Sequence, residues 1–199
     1  MKFALFDMDN SLFDYEGALR AGLQAIAAPG ESPITAETSL WELDKQPHMN
    51  ARMDLIKSQP CWWRNLHAIP MGLIVWDLAK SIGFHNQILT KGPNRKSRAW
   101  KEKVDCCQKH FGQDVDIFLT SARKGKGQVY GLTLYDDHVP YMEAWLEWRK
   151  RGLGIMPVTV ENKDFKHERV IKYDGSIESI KEVKAKLIAV FNRNAGESF

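Results

Sequence analysis

Two aspartates separated by one residue, Asp7 and Asp9 in the stretch DMDNS, stand directly after the apolar run Phe3-Ala4-Leu5-Phe6. In an extended chain, side chains two residues apart point to the same side, so these carboxylates can converge. Two like charges that close need a cation or a shared proton. A second pair, Asp136-Asp137, ends another apolar stretch, and Thr90-Lys91 ends a third. Lys124 and Lys126 lie just upstream of the late aspartates, and His138 follows them. Four carboxylates with no other His or Cys in their clusters form an all-oxygen set that suits Mg2+. A hydroxyl and one or two lysines beside such a metal suit phosphate. The chemistry this combination offers is phosphoryl transfer to an aspartate acting as nucleophile.

For these groups to meet, the apolar runs must be neighbouring strands. A short apolar run bounded by polar residues fits a strand covered on both faces, as in a parallel sheet. Such sheets bind ligands at the carboxyl ends of their strands, where the polar groups here are found. The pattern predicts further strands at Phe84 to Thr90, Val115 to Leu119, Thr133 to Tyr135 and Ile155 to Val158. Between and after them it predicts helices at Tyr15 to Ala28, Asn50 to Lys57, Met71 to Ile82, Ser97 to Phe111, Val139 to Arg151 and Ser176 to Phe191. The alternation implies an α/β, Rossmann-like parallel sheet with helices on both faces. The irregular segment after the first strand, with Pro33, Pro47 and Pro60, implies a small, mainly helical cap. The expected division is a core of residues 1–14 and 70–199 and a cap of residues 15–69.

With 199 residues, a net charge of +3 and three cysteines, the chain fits one domain carrying a small insert, with neither a disulfide framework nor a zinc site. We expect a cytoplasmic protein with no membrane span. A homodimer is compatible with the sequence. The basic run from Lys91 to Lys103 reads as a solvated helix face. A nucleic-acid reading would need that face and the insert to form one continuous groove with stacked aromatics, so a nucleic-acid partner is not expected.

The motifs resemble those of the haloacid-dehalogenase-like phosphohydrolases. DMDNS is similar to their first motif, ILTKGP to their second and LYDDHVPY to their fourth. Within that superfamily the chain resembles the 5'(3')-deoxyribonucleotidases over roughly Lys2 to Val158. Tyr15, the stretch QPCWWRNLHAIPMG and the late Asp-Asp pair carry this closer likeness. The resemblance implies that Asp7 attacks phosphorus and ligates Mg2+. It implies that Asp9 protonates the leaving oxygen and then activates water, its backbone carbonyl also on the metal. Thr90 would bind phosphoryl oxygens, Lys126 would neutralise their charge, and Asp136 or Asp137 would complete the metal site. Lys126 is preferred to Lys124 for its spacing to Asp136. Asn10 replaces a frequent glycine and tolerates the same positive φ. Lys91 replaces a small hydroxyl residue, which either adds a phosphate contact or shifts the substrate.

The implied activity is a Mg2+-dependent phosphomonoesterase acting on nucleoside 5'-monophosphates, deoxyribonucleotides foremost. The alternatives are a phosphatase of another small phosphomonoester or of a nucleic-acid phosphate end, and a binding module that keeps the fold. The paired nucleophile and acid speak against the last. Trp41, Trp62 and Trp63, with Tyr15, either form a slot for the base or make the cap's own core. Trp76, Trp100, Trp145 and Trp148 are expected to pack in the main core, His138 to face solvent, and Cys106-Cys107 to be structural.

Overall fold

The computed structural model describes residues 1–93, 96–121 and 125–193, so Lys124 lies outside the described residues. Strand β1 (Phe3–Phe6) pairs on one side with β2 (His85–Lys91), which pairs with β3 (Asp116–Thr120). On its other side β1 pairs with β4 (Thr133–Tyr135), followed by β5 (Leu153–Pro157) and β6 (Val170–Tyr173). Every pairing is parallel and the spatial order is β3-β2-β1-β4-β5-β6. The chain first builds outward from β1 in one direction and then returns to build outward from β4 in the other. The switch point is therefore the gap between the carboxyl ends of β1 and β4.

Alternating residues of each strand feed two separate apolar layers. Ala4, Phe6, Ile88, Tyr135, Ile155 and Tyr173 face one layer, with helices α4 (Pro70–Ile82), α5 (Ser97–Phe111) and α8 (Ile177–Asn192). Leu5, Leu89, Leu134 and Met156 face the other, covered by α7 (Val139–Trp148) through Met142, Trp145 and Leu146. The short turn of helix α6 (Gly125–Gln128) lies beside α7. This is the sandwich of helices on both sheet faces expected from near-continuous apolar strands.

The helices begin and end at recognisable residues. Asp14 caps α1 (Tyr15–Ala25) by accepting the Gly17 N–H at 2.7 Å, and Ser176 caps α8 by accepting the Ser179 N–H. Gly83 closes α4 in the left-handed conformation that its missing Cβ permits. Helix α1 packs with α2 (Leu40–Asp44) and α3 (Pro47–Lys57) around a third cluster, Leu19, Leu23, Leu40, Met49, Met53 and Ile56. The chain leaves for these helices at Phe13 and returns at Ala68, and those two residues form an antiparallel bridge. The segment is thus hinged on two adjacent strands of chain.

Several expected boundaries differ. Helix α1 stops at Ala25 and α7 at Trp148, three residues short in each case, and α3 begins earlier, at Pro47. Helices α2 and α6 and strand β6 were not expected. Trp148 is 63% exposed rather than packed in the core, because α7 ends there and turns it outward, whereas Trp145 and Trp76 are buried. Trp100 is half-buried, its Nε1 donating to the Pro93 carbonyl. Among the described residues no helix is long and apolar enough to cross a membrane.

Candidate active site

Asp7 is the first residue after β1, and its N–H donates to the Tyr135 carbonyl, which extends the β1–β4 ladder by one step. Asp136 is the first residue after β4 and donates in the same way to Ile155 of β5. The equal register of β1 and β4, Phe6 opposite Tyr135, therefore brings the two aspartates side by side at the switch point. Asp7, Asp136 and Asp137 each offer an oxygen within 4.8 Å of the others. The turn after Asp9 requires Asn10 at φ 54°, the left-handed region that asparagine tolerates. It also closes tightly on α4: a Cβ on Gly72 would stand 2.2 Å from the Ser11 carbonyl oxygen.

Lys126 sits beneath this group, buried, with Nζ 2.6 Å from Asp7 Oδ1 and 2.7 Å from Asp136 Oδ2. Burial opposes its charge, but the two carboxylates outweigh that and hold the ammonium above lysine's ordinary range. Asp136 receives Lys126 on one oxygen and the His138 N–H on the other. Asp137 is clamped differently. Ser11 Oγ lies 3.2 Å from both its N–H and its Oδ1, and Asn162 Nδ2 donates to its carbonyl at 2.9 Å. Burial first, then repulsion among Asp7, Asp136 and Asp137, raises the carboxyls of Asp136 and Asp137 above the usual range, with Lys126 pulling the other way.

Asp9 is not part of that cluster of three carboxylates. Its Oδ2 is 2.5 Å from Nζ of Lys103, a fully buried lysine on α5. Burial raises the Asp9 carboxyl, Lys103 opposes, and Asp7 adds to the rise. Thr90, also fully buried, offers its hydroxyl to the same Lys103, and Lys91 contributes its carbonyl. The basic run that ends at Lys103 is therefore not a solvated face throughout. Ala99, Glu102, Lys103, Cys106 and Cys107 form the buried stripe of α5, while Trp100, Val104 and Phe111 lie at its margin.

A cleft of about 550 Å3 opens above these groups, lined by Asp7, Asp9, Asp137 and Lys91 and roofed by residues of α1 to α3. Tyr15, Trp41 and Trp63 line it; Trp62 does not. Trp63 is buried, its ring stacked on Tyr15 at 5.5 Å and its Nε1 donating to Lys57. Trp62 packs edge-on against both rings. Burial, and then the carboxylates of Asp9, Asp44, Glu16 and Asp54, push the Tyr15 phenol well above its usual value. Trp41 is 56% exposed and approaches His138 at 6.3 Å between ring centroids. His138 is half-buried, caps α7 and lines the cleft rather than facing open solvent.

Three contributors were not anticipated from the sequence. Lys103 was read as part of a charged face. Ser11 lies inside the first motif but was not singled out. Asn162 lies in the connection between β5 and β6, beyond the segment covered by the resemblance. Its side chain is saturated: Nδ2 also donates to Pro157, and Oδ1 accepts from Thr159 N–H and Lys172 Nζ.

Protein-family models give no match to the chain, and neither do curated proteins. Solved structures do. The chain is similar to a haloacid dehalogenase-like hydrolase from Burkholderia xenovorans, with 15% identity and a TM-score of 0.51 over 94% of this chain and 97% of that one. It is also similar to a protein described as a dehalogenase, with 11% identity and a TM-score of 0.55 over 98% of each. At such identities the likeness concerns the fold. The chain thus has the α/β fold of haloacid dehalogenase-like hydrolases, and it gathers its aspartates at the switch point of that fold.

Proposed function

We propose that the protein is a Mg2+-dependent phosphomonoesterase that hydrolyses nucleoside 5'-monophosphates, deoxyribonucleotides foremost, through a phospho-aspartate on Asp7. The observation that carries this reading is the group of buried Asp7 and Asp136 and half-buried Asp137, with Asp9 two residues after Asp7, at a cleft. In the first step an Asp7 oxygen bonds to phosphorus, the ester P–O bond breaks, and the leaving oxygen takes a proton from Asp9. In the second, Asp9 takes a proton from water as the water oxygen attacks phosphorus. The bond to Asp7 breaks, which releases phosphate and restores both aspartates.

The donor set fits Mg2+. It is all oxygen, and Asp7, Asp136 and Asp137 each offer a carboxylate oxygen within 4.8 Å of the others. Asp7, the Asp9 carbonyl and Asp137 would hold the ion, which when bound polarises phosphoryl oxygens. Asp137 lines the cleft, whereas both oxygens of Asp136 are already taken by Lys126 and His138, so we assign Asp136 to fixing Lys126. Thr90 and Lys126 would meet the phosphoryl charge and Lys91 the lip of the site. We take residues 15–69 as the cap and Tyr15, Trp41 and Trp63 as the leaving-group slot. Trp62 supports that slot from behind. The test is a panel of phosphate esters assayed with and without Mg2+. Hydrolysis of deoxynucleotides that stops on chelation is expected. Turnover confined to small non-nucleotide esters would favour the alternative substrate class, and turnover in excess chelator would remove the metal from the reaction.

A further inference from the structure

We propose that Lys103 is the positioning residue for Asp9: it aims the acid–base carboxylate at the leaving oxygen and ties that aim to the cap through Trp63. The inference rests on the reaction proposed above. Lysine has three N–H donors and no acceptor. In Lys103 all three are committed, to Asp9 Oδ2 at 2.5 Å, Lys91 O at 2.9 Å and Thr90 Oγ1 at 3.1 Å. None remains for a phosphate oxygen, which separates Lys103 from an ordinary phosphate-binding lysine. The contact also divides the two oxygens of Asp9. Oδ2 is occupied, while Oδ1 is buried with no hydrogen-bond partner among the described residues, and Asp9 lines the cleft. By holding one oxygen, Lys103 fixes the rotation of the carboxylate and leaves the other oxygen free of any partner among the described residues.

The anchor itself is rigid. Lys103 is fully buried on a helix of 15 residues, and its ammonium lies 4.7 Å from the centre of the Trp63 ring. Trp63 in turn stacks on Tyr15, and both rings line the cleft. The ring, the ammonium and the carboxylate form one chain of contacts from the leaving-group slot to the acid. A cap that seats its aromatics correctly thereby also seats Lys103 over Trp63.

The test exploits leaving groups that differ in their need for a proton. Phenyl phosphate and a deoxynucleoside 5'-monophosphate expel more basic oxygens than p-nitrophenyl phosphate does. Lys103→Met should lose about a hundredfold on the first two and less than about tenfold on the third, because general acid assistance is worth about 10²–10⁴ only where the leaving group needs it. In an Asp9→Asn background, Lys103→Met should cost almost nothing further, since residues that act as a unit are not additive. Lys103→Arg, which keeps the charge but not the compact ammonium, covers the case in which the methionine variant does not fold, and it should show the same selective loss. Equal losses on all three esters, or a full additional loss in the Asp9→Asn background, would overturn the assignment and leave Lys103 a structural or phosphate-binding residue. Wild-type protein inert toward all three esters would instead overturn the proposed activity, and this role with it.

Discussion

The site's most informative residues are those held under electrostatic stress. Asp136 is buried and Asp137 half-buried beside Asp7; desolvation and then Asp7 raise the Asp136 carboxyl, and desolvation, Asp136 and Asp7 raise that of Asp137. A metal binds only the ionised forms, so at the proposed metal site protons and Mg2+ would compete. Acidification through the raised range would protonate the carboxyl and weaken metal binding, and Mg2+ uptake at neutral pH would release protons. Titration calorimetry in two buffers of different ionisation enthalpy should show that release, with affinity falling as the pH is lowered. A flat affinity and no proton release would mean that Asp137 is not a ligand. The residues that carry this chemistry were legible in the sequence because each follows an apolar strand, and a strand end fixes position without further information. Lys103 was not, because a lysine on a charged helix looks solvated. Its spacing from Ala99, Cys106 and Cys107 places it on the buried stripe, and that was the available signal. Asn162 offered none, since a lone asparagine in a connection acquires its role only when β5 and β6 bring it under Asp137.

At the scale of elements, the α/β core was legible because alternating apolar strands and amphipathic helices leave few other solutions. The cap was less so. Its helices α2 and α3 are short and rich in polar residues, and only contact with α1 makes them one cluster. The aromatic residues of this segment now divide into two kinds. Trp63 is buried between Tyr15 and Lys103, whereas Trp41 is exposed at the cleft wall. Base stacking on an aromatic is worth about 1–3 kcal/mol. Trp41→Ala should therefore lower deoxynucleotide turnover roughly tenfold while sparing p-nitrophenyl phosphate and leaving the melting temperature unchanged. Trp63→Ala should lower both turnover and stability. If Trp41→Ala affects both esters alike, Trp41 is not part of the slot.

At the scale of the whole molecule, the carboxyl-terminal segment completes the sheet. Its charge concealed β6, in which Ile171 and Tyr173 point inward while Val170 and Lys172 are half-buried. Helix α8 then buries Val183, Leu187 and Val190 against the same layer as α4. Leu187→Ala should cost about 2–5 kcal/mol in denaturant unfolding, and a loss within about 0.5 kcal/mol would show that the tail is not integral to the core. The same layer supports β1 and β4, so the aim of the aspartates depends on the complete sheet. In the proposed reaction this sheet presents Asp7 as the nucleophile toward phosphorus. Phosphate release from a deoxynucleoside 5'-monophosphate in the presence of Mg2+ should be readily measured for the wild type. For a folded Asp7→Asn protein it should fall at least about a thousandfold, because the amide keeps the shape and removes the attacking charge. Turnover by that variant within about tenfold of the wild type would mean that Asp7 is not the nucleophile.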